Sequence, residues 1–201
     1  MASGKVINWL DSIEGAKGES ARSGRPVLMF FHYKYCTGCI NTIGKTLPKM
    51  SVVDAVSESY VPVMLETTEN TEAVETYNVN WTPTFIVADN TGLEIYRWEG
   101  YLPEDDFLGQ LNMALGRVAL NKKAYKDAER RFDEVVIKYP LTALAPEACY
   151  YLGVARYRAT GDVAALTRAY HDIREAYPES VWAIKASVWS EENIEAVKKA
   201  A

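Results

Sequence analysis

Two cysteines with two residues between them, Cys36-Thr37-Gly38-Cys39, stand behind the apolar run Val27-Leu28-Met29-Phe30-Phe31-His32 and ahead of a segment with helical spacing. A run without alternation suits a central strand covered on both faces. The pair therefore sits where a strand hands over to a helix. Cys36 then falls at the helix N-terminus, where unpaired backbone amides and the helix dipole stabilise a thiolate. Cys39 lies one turn further in, close enough to close a disulfide. Such a pair supports a two-step exchange, in which Cys36 forms a mixed disulfide with a partner and Cys39 resolves it. Half of a metal site and an inert buried pair are the alternatives. A structural zinc site needs four ligands, and Cys149, His32 and His171 supply no second short-spaced pair. No metal and no other cofactor is expected, because two sulfurs can carry the electrons.

The rest of the chain divides by pattern. Residues 6–23 read as an amphipathic helix through Ile7, Leu10 and Ile13. A helix over residues 40–56 is predicted to kink at Pro48. Tyr60 to Leu65 reads as a second buried strand and Thr71 to Tyr77 as a short helix. Trp81-Thr82-Pro83-Thr84 turns into a third strand, Asp89-Asn90-Thr91-Gly92 makes a hairpin turn, and Leu93 to Trp98 pairs as a fourth strand ended by Gly100. Pro103-Glu104-Asp105-Asp106 starts a helix with acidic residues in its first turn. Beyond it only helical patterns occur, which points to an α/β domain followed by an all-α one. The boundary is set at Gly116, giving domains 1–116 and 117–201.

The first domain resembles the thioredoxin superfamily in its element order and in three motifs: Tyr35-Cys36-Thr37-Gly38-Cys39 after a strand, the Thr82-Pro83-Thr84 turn, and Gly100 after the last strand. The resemblance implies a thioredoxin-like fold, a central mixed β-sheet with flanking helices. It implies a cis Thr82–Pro83 bond facing the cysteines, with Thr82 docking the partner's backbone. Tyr35, Thr37, Gly38, Trp81, Thr82 and Pro83 are the expected partner-binding residues, and Cys36 and Cys39 the catalytic ones. There are departures. Tyr35 replaces the family's usual tryptophan, and Thr37-Gly38 replaces its Gly-Pro. Phe30 stands where thioredoxin buries an aspartate, and Met64 near the position of that aspartate's lysine. His32 and Glu66 are the nearby residues able to substitute.

In the helical part, Leu115-Gly116 leads through Ala119, Tyr125, Ala128 and Phe132 to Pro140. Leu152-Gly153 leads through Gly161, Leu166 and Tyr170 to Pro178. Small residues at a helix crossing, an aromatic between helices and a closing proline resemble a pair of tetratricopeptide repeats, although the two prolines are 38 residues apart against a period of about 34. Residues 181–197 read as a terminal helix over the open end, with Trp182 and Trp189 packing on one face. Cys149 reads as a packed thiol, and Glu66, Glu69, Glu72 and Glu75 as a solvated face.

The net charge of −5 divides into −7 before Gly116 and +2 after it, so no concentrated basic face for nucleic acid is expected. No apolar stretch reaches membrane-span length, and residues 1–13 show no secretory run. A cytoplasmic location is expected, or an exported one had a leader been removed. The pattern points to a protein disulfide oxidoreductase. Its partners would be protein clients bearing thiols or disulfides and an upstream redox partner, with the helical repeats recruiting the client. The alternative is an adaptor that works through its helices and keeps the α/β half as a scaffold. The direction of electron flow and the oligomeric state stay open.

Overall fold

The computed structural model of the chain describes residues 5–200, with side chains to residue 196. Of the opening segment read for a leader, residues 1–4 lie outside the described residues. The chain forms two compact units, Met1–Ala114 and Leu115–Ala201.

The first unit contains α1 (Ile13–Ser23), β1 (Val27–His32), α2 (Thr37–Asn41), a π turn (Thr42–Thr46), α3 (Met50–Ser59), β2 (Val61–Glu66), α4 (Thr71–Thr76), β3 (Thr84–Ala88), β4 (Glu94–Glu99) and the start of α5 (Glu104–Asn121). Its sheet has the order β2-β1-β3-β4, with β1 parallel to β2 and antiparallel to β3. The mixed sheet with flanking helices is the expected architecture. Val27, Met29 and Phe31 bury one face of β1 among Val63, Leu65, Ile86 and Ala88. On the other face Phe30 stacks on Phe85 at 4.4 Å, and Phe85 stacks on Trp98 at 5.0 Å. Burial on both faces is why β1 shows no polar alternation. The Asp89 carboxylate caps the hairpin by accepting the amides of Thr91 and Leu93.

Two expectations for this unit need correction. Residues 6–12 are not helical: Leu10 bridges Val63, its N–H reaching the Pro62 carbonyl and its carbonyl accepting from Met64. Spacings of three serve a short edge segment as well as a helix, and Ser12 starts the helix by accepting the Gly15 N–H. Nor does one kinked helix follow the cysteines. It begins at Thr37, opens into the π turn and breaks at Pro48, and α3 restarts after the extended Lys49. Proline has no N–H to give to the helical ladder, and although Leu47 before it keeps helical angles the chain leaves the helix at Lys49.

The second unit is helical, with α6 (Tyr125–Lys138), α7 (Ala145–Thr160), α8 (Ala164–Ala176), α9 (Val181–Ala186), a 3₁₀ turn (Ser187–Trp189) and α10 (Glu191–Ala200) following the end of α5. Glycine allows close crossings here. A Cβ on Gly116 would come within 2.4 Å of Phe132, and one on Gly153 within 2.4 Å of the Ala169 Cβ. Ala165, Ala169 and Ile173, not Leu166 and Tyr170, occupy the buried positions of α8. A one-residue rotation brings small side chains to α7 and leaves Tyr170 beside Ile173 and Cys149. Trp182 and Trp189 both pack on Tyr150. They do so from α9 and the 3₁₀ turn that directly follows it, and the expected terminal helix breaks only beyond both, at Ser190, whose extended backbone precedes α10. No helix among the described residues is long and apolar enough to cross a membrane.

Candidate functional site

The handover from β1 to α2 sets the two sulfurs in different surroundings. Cys36 is the N-cap of α2, with an extended backbone, and its sulfur accepts the Cys39 N–H at 3.2 Å. As a thiol it also donates to the Thr82 carbonyl at 3.2 Å. Cys36 is partly exposed, whereas Cys39 is 1% exposed. Burial pushes the Cys36 thiol up, but hydrogen bonding from Cys39, Thr82 and the amides of Cys39 and Gly38 outweighs it, and the net pKa falls below the ordinary value. Burial dominates at Cys39 and, with its bond to Cys36, lifts the thiol to about 11. Cys36 therefore gives up its proton more readily than an ordinary cysteine, and Cys39 less readily.

Opposite the cysteines, the Thr82–Pro83 peptide is cis. The Pro83 ring lies so near Gly38 that a Cβ there would meet Pro83 Cδ at 2.9 Å. The Thr84 hydroxyl donates to the Trp81 carbonyl at 2.8 Å, and the Gly100 N–H to the Pro83 carbonyl at 2.8 Å. Gly100 has φ +87°, which a side chain disfavours. A hollow of about 600 Å³ opens beside Cys36.

Cys36, Thr37, Gly38, Trp81, Thr82 and Pro83 come together around this hollow. Cys39 lies beneath it. Tyr35 stands outside the lining, 72% exposed, with its ring edge-on to Tyr33 at 5.5 Å. Tyr101, Val79 and Thr67 also line the hollow and were not singled out from the sequence, although Tyr101 directly follows the marked Gly100.

Neither residue named as a substitute for the missing acid takes that part. Among the described residues Cys39 has no carboxylate as a hydrogen-bond partner, and Phe30 fills the position below. Burial lowers the His32 pKa against the pull of Glu66 and Glu69, so the ring is neutral at pH 7. Glu66 accepts the N–H and hydroxyl of Thr68 at its Oε2, while its Oε1 is buried without a hydrogen-bond partner among the described residues. It therefore leaves the solvated face that Glu69, Glu72 and Glu75 do form. Cys149 is buried, and its thiol is pushed up to about 11. Among the described residues no group of three or more His, Cys, Asp or Glu side chains could hold a metal ion.

A family model described as a thioredoxin-like domain matches residues 14–115. The chain belongs to this thioredoxin-like family. Among solved structures, a thioredoxin from Thermus thermophilus is 23% identical, with 59% of this chain and 94% of that one covered and a TM-score of 0.52. The oxidised C-terminal domain of DsbD from Neisseria meningitidis is 20% identical over 46% of this chain and 84% of its own, with a TM-score of 0.41. A protein titled DsbH oxidoreductase is 16% identical over 62% and 85%, with a TM-score of 0.44. At such identities the likeness concerns the thioredoxin-like fold alone. No curated protein matches the chain.

Proposed function

We propose that this chain is a thiol–disulfide oxidoreductase acting on protein clients, with Cys36 as nucleophile and Cys39 as resolving thiol. The observation that carries this reading is the asymmetry of the two sulfurs: a partly exposed Cys36 with a lowered pKa above a buried Cys39 held near 11. The Cys36 thiolate attacks one sulfur of a client disulfide, forming the mixed disulfide and expelling the other client sulfur as a thiolate, which takes a proton from water. Cys39 then loses its proton to solvent and attacks the Cys36 sulfur. The Cys36–Cys39 disulfide forms, and the second client sulfur leaves as a thiol. The client gains two electrons and the chain loses two. With the reagents exchanged the same steps oxidise a client dithiol. A dithiol or disulfide partner restores the starting state, and no cofactor takes part.

Thr82 and Pro83 frame the place where the client segment docks, with Tyr35, Thr37, Gly38 and Trp81 around it. The helical residues, 117–201, recruit the client and raise its effective concentration near Cys36. In support of a repeat arrangement, the contacts of Gly116 with Phe132 and of Gly153 with Ala169 join residues at the same separation along the chain.

The test is covalent trapping. Cys39→Ser should accumulate client adducts that dithiothreitol releases, and Cys36→Ser should accumulate none. A Cys39→Ser variant that stays free of adducts under oxidising conditions refutes the reading. If the double variant without either thiol still binds its clients unchanged, the adaptor reading takes over, favoured by the Phe30 ring in the acid's position.

A further inference from the structure

In the helical unit two cations from α5 and α9 lie on neighbouring aromatic rings. Arg117 of α5 stands over the Tyr151 ring, its Cζ 4.3 Å from the centroid, and Lys185 of α9 stands over Trp182 with its Nζ at 3.9 Å. The two rings meet edge to face at 5.8 Å. Phe132 packs on Tyr151 at 5.7 Å and Tyr150 on Trp182 at 5.1 Å, so the platform is held by its neighbours. A cation on a ring face is placed without spending its N–H donors on a carboxylate. Elsewhere in the unit Arg130, Arg131, Arg156 and Arg168 each reach a carboxylate at 3.0 to 3.9 Å. Among the described residues Arg117 and Lys185 form no such pair. Glu147, one turn before Tyr151 on α7, feels the charge of both without a hydrogen bond to either.

This arrangement selects an anion of a particular form. Two separate cations with free donors accept two carboxylates, and the rings beside them accept apolar side chains. The half-buried Glu147 carboxyl repels a third negative charge and accepts a hydrogen bond from an amide. A nucleic-acid backbone is charged at every nucleotide and would set a phosphate against Glu147. A peptide can place an uncharged amide there. The net charge of +2 after Gly116 favours an acidic partner at longer range.

We propose that this face docks an acidic segment of the client, with two carboxylates on Arg117 and Lys185 and an uncharged amide toward Glu147. The proposal rests on the reading that the helical residues recruit the client.

The test follows the fluorescence anisotropy of short labelled peptides mixed with the reduced full chain. The peptides are alike except at two flanking positions, both Glu, both Gln or both Lys, set at graded separations around a central Asn. The best Glu peptide should bind about tenfold or more tightly than its Gln counterpart at low salt, with the Lys one weaker still, and the advantage should shrink at about 1 M salt. Arg117→Gln and Lys185→Gln should each lower the Glu-to-Gln ratio about threefold to fivefold, the worth of one partly exposed ion pair. Replacing the central Asn by Glu should weaken binding, and Glu147→Gln should restore it. Loss of folded protein weakens every peptide alike and leaves the ratios alone. Equal affinity for Glu, Gln and Lys peptides, or a ratio untouched in both cation variants, overturns the surface. Displacement of the Glu peptide by single-stranded oligothymidylate at matched charge gives the face to nucleic acid and overturns the peptide. Turnover of hydroxyethyl disulfide with dithiothreitol is followed on the same protein. Its loss with selective peptide binding intact overturns the oxidoreductase reading alone, and turnover without selective binding overturns the surface alone.

Discussion

Resolution of the mixed disulfide should be slow and steeply dependent on pH, because burial holds the Cys39 proton and, among the described residues, no carboxylate is hydrogen-bonded to take it. Its thiol is lifted from 9.0 to about 11, first by burial and then by its bond to Cys36. Below pH 9 that leaves roughly a hundredfold less thiolate than an ordinary cysteine carries. A more basic thiolate is also more nucleophilic, and a Brønsted coefficient of about 0.4–0.5 returns roughly sixfold to tenfold. The net slowing is about tenfold, and this is an upper bound, since the Cys36 charge is absent once its sulfur is in the mixed disulfide. Burial, the largest cause, remains. Reduced protein mixed with a chromogenic aromatic disulfide in a stopped-flow instrument should release the aromatic thiol in two equal phases. The first, attack by Cys36, should bend over below pH 9. The second, attack by Cys39, should climb about tenfold per pH unit from 6 to 9. A second phase that levels off near neutrality would mean that some group takes the Cys39 proton, and the reasoning from Phe30 would be wrong.

Other expectations concern packing and titration. Gly153→Ala drives a methyl against Ala169, and overpacking of about 1–3 kcal/mol should exceed the helix gain of about 1 kcal/mol, so urea unfolding shifts to lower concentration. Gly18→Ala, in α1 with open space around it, should stabilise by about 0.5–1 kcal/mol. Gly38→Ala pushes on the Pro83 ring and should slow Cys36 attack on peptide disulfides more than alkylation of Cys36 by iodoacetamide, both followed by mass. The buried Cys149 thiol, held near 11 against 9.0 by burial, retains its proton in the folded state after the unfolded chain has lost it. That contribution is complete below pH 9 and is lost as pH rises through 11, up to about 3 kcal/mol. Cys149→Ala should flatten the corresponding fall in urea stability, and an identical fall in the variant would assign it to other groups.

Legibility from sequence followed how local each determinant is. β1, β2 and β3 are continuous apolar runs because both their faces are covered, and such runs are visible in a line of text. The cysteine pair and the Thr82-Pro83-Thr84 turn are equally compact. The helix pattern runs too far towards the N-terminus because Ile7 and Leu10 keep a spacing that an edge segment shares with a helix, whereas the helix starts after Ser12. The π turn leaves no trace in Thr42-Ile43-Gly44-Lys45-Thr46, whose residues suit either kind of helix. The hydrogen bond from Thr46 to Leu102 joins residues far apart in the chain, and no short-range pattern reports it. In α8 the buried residues are Ala165, Ala169 and Ile173, whereas the repeat pattern marks Leu166 and Tyr170, one position on from the two alanines.

The redox couple itself can be measured by equilibrating the full chain with graded mixtures of oxidised and reduced dithiothreitol or glutathione, quenching by alkylation and weighing the intact protein. Cys36 and Cys39 should convert together in one reversible two-electron transition while Cys149 stays reduced. The midpoint places the couple on the scale that runs from about −270 mV for thioredoxin to about −120 mV for a strong oxidant. A chain in which the two cysteines never convert as a pair would contradict the oxidoreductase reading at its root.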